Sequence, residues 1–288
     1  MELYRFQRGE TPVLLSIPHG GTLLPPEVAA RLTDGALRLP DTDWHLDRLY
    51  NFAPALGCGF LAATQSRYLV DLNRDPDGRP QGDAGTGFEG TGVVPLASFD
   101  GTPIYRPGAE PDGEEMRRRV EAYWRPYHRR LSEELADLRA RFGVAVLLEA
   151  HSVRRSVPRL FDGRLPDFSL ATDDGRACAP ELARRLTNVL RGAEPHTVEL
   201  NGRIRGGFIA RTHAAPGSGI HALQLEISRG VYMDEDDPFR FRNDQVLSVL
   251  PTLERFVSAM VDWALEESRA ARDAARHDAP GRDGAAAA

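Results

Sequence analysis

The chain has 288 residues, 41% of them hydrophobic, and a formal net charge of −6. That length allows one large domain or two small ones with a sizeable core. No apolar run approaches the ~20 residues of a membrane helix, and the acidic balance argues against nucleic acid as a general partner. All 36 basic residues are arginine, which excludes a Schiff-base lysine and the lysine-bearing phosphate loop of nucleotide hydrolases. Cys58 and Cys178 are too few for a disulfide framework, and residues 1–10 carry no apolar signal segment. A cytoplasmic location is the expectation.

In chain order, Val13-Leu14-Leu15-Ser16-Ile17 reads as a buried strand ended by Pro18, which has no N–H to donate. His19-Gly20-Gly21 follows, a histidine in a turn that can approach a ligand closely. Pro25-Pro26-Glu27 starts a helix. Asp41-Thr42-Asp43-Trp44 starts another, with Leu46, Leu49, Tyr50 and Ala53 on its apolar side. Residues 59–64 and 67–72 read as strands. Residues 73–113 are rich in Gly, Pro and Asp, and too long for a plain connection. Residues 114–142 carry the clearest helical period, through Val120, Trp124, Tyr127, Leu131, Leu135 and Leu138. Pro126 should kink that helix and Gly143 end it. Residues 144–148 are apolar enough for a central strand covered on both faces. A helix over 180–190, strands near 197–200, 207–211 and 222–227, and a helix from Asn243 to Arg272 interrupted at Pro251 complete the reading. The alternation implies one layered α/β domain over 1–272, with 273–288 as a flexible tail.

The chemistry gathers at strand ends, where ligands bind in open α/β sheets. Glu149-Ala150-His151-Ser152 closes the apolar strand as His19 closes the first. A catalytic zinc typically takes three protein ligands and leaves a position for water. His19 and His151 supply two, and Asp43 or Asp47, four apart on the expected helix, the third. Asp43 is the choice, with Asp47 left to orient a neighbour; the alternative for Asp43 is a helix cap. In His221-Ala222-Leu223-Gln224-Leu225-Glu226-Ile227, alternation puts Glu226 away from the leucines. A carboxylate there is costly unless paired or used, and beside an activated water it would be a general base. Arg67, Asn73-Arg74, Arg203, Arg205 and Arg211 cluster near strand ends and suit an anionic substrate.

These segments resemble the N-formylglutamate amidohydrolases (deformylases) of histidine breakdown. The similarity lies in Ser16-Ile17-Pro18-His19-Gly20-Gly21, Asp41-Thr42-Asp43-Trp44-His45, Ser66-Arg67-Tyr68-Leu69-Val70-Asp71-Leu72-Asn73-Arg74-Asp75-Pro76 and Glu149-Ala150-His151-Ser152. It continues through Asn201-Gly202-Arg203-Ile204-Arg205-Gly206-Gly207, Leu225-Glu226 and Tyr232-Met233-Asp234-Glu235. The resemblance implies a three-layer αβα fold with a mixed, mostly parallel sheet, phosphorylase/hydrolase-like and shared with zinc carboxypeptidases. It implies one divalent metal ion, zinc by expectation, on His19, Asp43 and His151, with Glu226 as base. Asn73-Arg74 resembles the pair that carboxypeptidases use near the substrate. Glu149 stands where relatives often have Asp, and Thr172-Asp173-Asp174-Gly175 carries Asp where Asn is expected.

The function so implied is metal-dependent hydrolysis of N-formyl-L-glutamate to formate and L-glutamate, with Arg74 on the oxyanion and Arg67, Asn73, Arg205 and Arg211 on the substrate. The same site could serve another N-acylated acidic amino acid or a C-terminal peptide residue. A serine hydrolase using Ser152 or Ser218 lacks the Gly-x-Ser-x-Gly elbow. An arginine-lined sensor of a small anion would need neither both histidines nor Glu226. The expected partner is an acidic small molecule, without nucleic acid or membrane, bound by a monomer or small homo-oligomer.

Overall fold

The structure, a computed structural model, describes residues 2–77 and 92–277. Its strands are β1 (Tyr4–Gln7), β2 (Val13–Ile17), β3 (Gly59–Ala63), β4 (Ala145–Val153), β5 (Phe168–Ala171), β6 (Val198–Leu200) and β7 (Ile220–Ser228). They form one sheet in the order β1-β3-β2-β4-β7-β5-β6. The run β3-β2-β4-β7 is parallel, whereas β1 joins β3 and β5 joins β7 antiparallel. The α-helices are α1 (Pro26–Ala29), α2 (Leu46–Leu49), α3 (Gly113–Arg119), α4 (Arg125–Phe142), α5 (Pro180–Arg191), α6 (Phe208–His213) and α7 (Asn243–His277). Among the described residues, no helix is long and apolar enough to cross a membrane.

Side chains alternate across a strand, and each face of the central strands has its own cover. Val13, Leu15, Ile17, Val146, Leu148, Leu223, Leu225 and Ile227 share a core with Leu182 and Leu186 of α5 and Leu253 and Phe256 of α7. On the opposite face Leu14, Ala145, Leu147 and Ala222 share a core with Tyr127, Leu131, Leu135 and Leu138 of α4. This second face changes along its length. Towards the carboxyl ends, Leu14 gives way to Ser16, Leu147 to Glu149 and His151, and Ala222 to Gln224 and Glu226. The polar end of an otherwise apolar face is where the site forms.

Several expectations are corrected. Residues 67–72 are a buried turn rather than a strand, because Arg67 and Asp71 pair at 2.6 Å. Fully extended, residues four apart would lie about 13 Å away from each other. Residues 207–211 open α6 rather than a strand. The helix expected from Asp41 is the single turn α2, so Asp43 lies before it on irregular backbone. β4 runs on to Val153, which puts Glu149 and His151 inside the strand. Pro126 does not kink a uniform helix. A π-helical turn, Val120–Trp124, precedes it and joins α3 to α4, supplying the slack its ring and missing N–H require. Pro251 does not interrupt α7. Pro251 has no N–H for the Leu247 carbonyl, and Leu247, 76% exposed, puts this gap on the solvent side, while Val249, Leu253, Phe256 and Val257 stay buried. Helix α7 continues through residues 273–277; the rest of the expected tail lies outside the described residues, as do 78–91 of the long connection. The edge strand β1 was missed in the sequence reading, although Tyr4 and Phe6 alternate with the polar Arg5 and Gln7.

Leu147 is fully buried between sheet and α4. Leu147→Ala should destabilise the fold by about 2–5 kcal/mol, seen as a lower urea midpoint at unchanged slope.

Candidate active site

The site is built from loop ends outward. β2 delivers His19 into a turn in which Gly21 lies against β3's continuation: a Cβ there would sit 2.3 Å from the Gln65 carbonyl oxygen. The backbone N–H of Asp43 donates to the His19 carbonyl at 2.9 Å, and this bond brings the loop before α2 alongside. His151 arrives from β4. Its Nδ1 is 2.9 Å from Asp43 Oδ2, and His19 Nδ1 is 3.8 Å from the same oxygen. One donor atom from each of the buried residues His19, Asp43 and His151 lies within 4.8 Å of the others. Two imidazole nitrogens and a carboxylate oxygen so placed fit a divalent metal ion, and this group can hold one.

The other imidazole nitrogens are also committed. His19 Nε2 lies 2.8 Å from Asp71 Oδ1, and His151 Nε2 lies 2.6 Å from Glu149 Oε1. A carboxylate on the far nitrogen fixes ring orientation and raises ligand basicity. Asp71 is held in turn by Arg67, whose Nη2 donates to Oδ2 at 2.6 Å and whose Nη1 donates to the Asp41 carbonyl at 3.3 Å. Burial opposes the Asp71 charge, but Arg67 and His19 outweigh it and hold the carboxyl well below its usual range. Burial, helped by Arg67, pushes His19 down to about 4. His151 is the opposite case: burial disfavours its charge, yet Glu149 and Asp43 raise it to about 10.

Glu226 stands beside His151 on the neighbouring strand, in direct register across β4 and β7. Gln224 donates to Glu226 Oε2 at 3.3 Å. Burial pushes Glu226 up to about 7; His151 works against that shift and Asp43 with it. Arg229, fully buried, lies 3.8 Å from Asp43 Oδ1 and donates to the Pro40 carbonyl. Asn73 spans the site: its Oδ1 accepts from the Ile209 N–H at 2.8 Å, and its Nδ2 lies 3.2 Å from His151 Nε2. Gly207 permits this, since a Cβ there would sit 2.0 Å from Asn73 Nδ2.

Of the other arginines, Arg74 is buried and Arg211 half-buried, and both feel Glu149. Burial lowers each, and the charges of Arg67 and Arg211 lower Arg74 further. Arg205 is 53% exposed and pairs with Asp174 at 3.4 Å. Asp47 does not orient a ligand. It follows α2's turn outward and accepts from Arg5 at 2.7 Å. Ser152 points to the opposite face of β4, where the Tyr232 hydroxyl donates to it, and Ser218 sits in a turn before β7. Asp71 and Glu149 are supports that the sequence reading missed. The i,i+4 spacing of Arg67 with Asp71, and the shared strand face of Glu149 with His151, were the available signals.

The sequence model of N-formylglutamate amidohydrolase matches residues 11–233. The chain belongs to the N-formylglutamate amidohydrolase family. It is 47% identical over 265 residues to the N-formylglutamate deformylase of Pseudomonas aeruginosa, covering 92% of this chain and 98% of that one. It is 43% identical over 261 residues to the N-formylglutamate deformylase of Pseudomonas putida, covering 91% and 96%. The crystal structure of N-formylglutamate amidohydrolase from Ralstonia eutropha JMP134 superposes with a TM-score of 0.75 at 28% identity, covering 95% of this chain and all of that one. A gene product of Agrobacterium tumefaciens shares the fold at a TM-score of 0.68 and 18% identity, covering 91% and 94%.

A metal ion taken up on His151 Nδ1 would make binding a proton exchange, because that nitrogen must first give up its proton. Its raised pKa means that, without metal, its charge contributes stability complete below about pH 6.5 and lost as the pH rises through about 10. Zinc added to metal-free protein at neutral pH should release about one proton from this residue, and affinity should rise with pH. Calorimetric titration in buffers of different ionisation enthalpy measures both; an affinity flat from about pH 6 to 9 would mean that His151 holds no proton to release.

Proposed function

We propose that this enzyme hydrolyses N-formyl-L-glutamate to formate and L-glutamate with a metal ion on His19, Asp43 and His151. The observation that carries the reading is the register of Glu226 with His151 on adjacent strands, which sets a buried carboxylate beside the group able to hold a metal. The names of the curated relatives point to the same substrate. A zinc-carboxypeptidase-like arrangement, zinc as the metal and a cytoplasmic setting belong to this reading.

A bound divalent ion would polarise the formyl carbonyl and make water a nucleophile near neutral pH. Glu226 accepts the proton of the attacking water on a carboxylate oxygen, then delivers it to the amine nitrogen as the C–N bond breaks. A base pushed up to about 7 is matched to that task. Arg74 donates to the oxygen on which negative charge develops. Arg211 and Asn73 hold the glutamate carboxylates, with Arg205 further out in solvent. Arg67, read from the sequence as a substrate arginine, is carried here as the support of Asp71, because that carboxylate already occupies it.

Glu226→Gln keeps the hydrogen-bonding shape but cannot accept a proton. It should lower kcat by about 10²- to 10⁴-fold while metal content stays stoichiometric, and near-normal kcat would make Glu226 structural. In the parent enzyme, Glu226 must be ionised to act, so kcat/KM should fall as the pH drops through about 7.

Replacing either histidine by alanine should abolish stoichiometric metal, measured by elemental analysis of purified protein. Full retention in His19→Ala or His151→Ala would remove that residue from the ligand set.

Formate release from a panel of N-acyl amino acids tests the substrate. N-formylglutamate should exceed N-acetylglutamate by roughly 10-fold or more, the scale of a methyl group that a closed pocket excludes. Equal kcat/KM for formyl, acetyl and larger acyl glutamates would leave only a general metal hydrolase.

A further inference from the structure

Helix α4 carries a group of aromatic side chains that the proposed reaction does not use. Trp124 closes the π-helical turn, and His128 follows one turn later. Their rings stack with centroids 3.6 Å apart. Each donates to a backbone carbonyl of the same short loop. Trp124 Nε1 donates to the Arg74 carbonyl at 3.0 Å, and His128 Nε2 donates to the Leu72 carbonyl at 2.8 Å. Between those carbonyls lies Asn73, and directly on them depends the course of Arg74. Both donors are buried.

The same pair reaches α6. His128 has its Nε2 proton on Leu72, so as a neutral ring it accepts at Nδ1, from His213 Nε2 at 2.9 Å. His213 Nδ1 lies 3.4 Å from the Ser132 hydroxyl. Phe208 packs edge-on against both Trp124 and His128. Phe208 sits between Gly207, which presses on the Asn73 amide, and Ile209, whose N–H bonds the Asn73 side chain. The aromatic group therefore touches Asn73 from two sides, through its neighbours' carbonyls and through α6. Burial, together with His213, pushes His128 down to about 3, and burial pushes His213 down to about 4, so both rings stay uncharged at neutral pH.

We propose that Trp124 and His128 are positioning residues, a clamp that fixes the backbone of Leu72, Asn73 and Arg74 so that the Asn73 amide and Arg74 guanidinium are held in register with the His151–Glu226 pair. The role deepens the reading of the site as a formyl-amide hydrolase and rests on it for its kinetic consequence. Neither ring touches the reacting atoms. The clamp works by removing freedom from the loop, and loosening a support of this kind typically costs activity about 10- to 100-fold.

The test uses Trp124→Phe and His128→Phe, which keep a ring in the stack and delete one donor each, and His128→Gln, which restores an amide donor at similar reach. Each Phe variant should lower kcat for N-formylglutamate about 10- to 100-fold with full metal content and a near-normal melting temperature. His128→Gln should recover most of the loss. Hydrogen–deuterium exchange should speed up in residues 71–77 of the Phe variants and stay unchanged in β4. Parent-like kcat in both Phe variants, or a His128→Gln enzyme as impaired as His128→Phe, would overturn the clamp. If the parent enzyme releases no formate from N-formylglutamate, the substrate reading fails, and exchange alone decides the clamp: parent-like rates at 71–77 overturn it, faster rates sustain it.

Discussion

The hydrogen bonds from His19 to Asp71 and from His151 to Glu149 are the constraint to which the neighbourhood answers. Each places a carboxylate in a site from which water is excluded, and an unpaired buried charge costs several kcal/mol. Glu149 takes its counter-charge from His151 itself. Asp71 needs more, and Arg67 supplies it. Arg67 also donates to the carbonyl of Asp41, whose side chain accepts from Tyr68 and from the Phe99 N–H. The loop from 41 to 43 is thereby fastened at one end to the Asp71 support and at the other to the His19 carbonyl. Asp43 occupies its position because both ends of its loop are tied.

Charge balance explains why the site is rich in arginine on its structural side as well as on the side assigned to substrate. Asp43 has two imidazoles before it and the buried Arg229 behind it. Guanidinium groups suit this work, since they stay ionised when buried and offer several donors in a fixed plane. The absence of lysine from the chain costs nothing here, because no step assigned to the site requires an amine that can lose its proton.

The parallel centre of the sheet supplies the precision. β4 and β7 are locked by a register that runs from Ala145 with Ile220 to Val153 with Ser228. Within it, His151 and Glu226 are neighbours by backbone geometry, before any side-chain contact is considered. A one-residue slip of either strand would turn its own member of the pair to the wrong face, and Leu148, Leu223 and Leu225, buried on the other face, forbid that slip. The apolar half of each strand thus positions the polar half, and α4 and α6 close the polar end from above.

The sequence by itself determined the layered α/β class, the apolar faces, and the residues fit for the chemistry. Those properties are local: strand and helix periods, proline and glycine punctuation, and residue types with few uses when buried. His19, His151 and Glu226 stood out because each ends or lines an apolar strand. The tertiary structure alone decided which carboxylates serve which histidine. Asp43 and Asp47 look equivalent on an imagined helix, but the helix shrinks to one turn and only Asp43 faces inward. Arg67 reads as a substrate group until Asp71 is seen to occupy it, and His128 reads as one more polar residue on a long helix until its bond to Leu72 is seen. These assignments depend on contacts between segments far apart in the chain. Their energies come from pairing and desolvation in three dimensions, which no local pattern encodes.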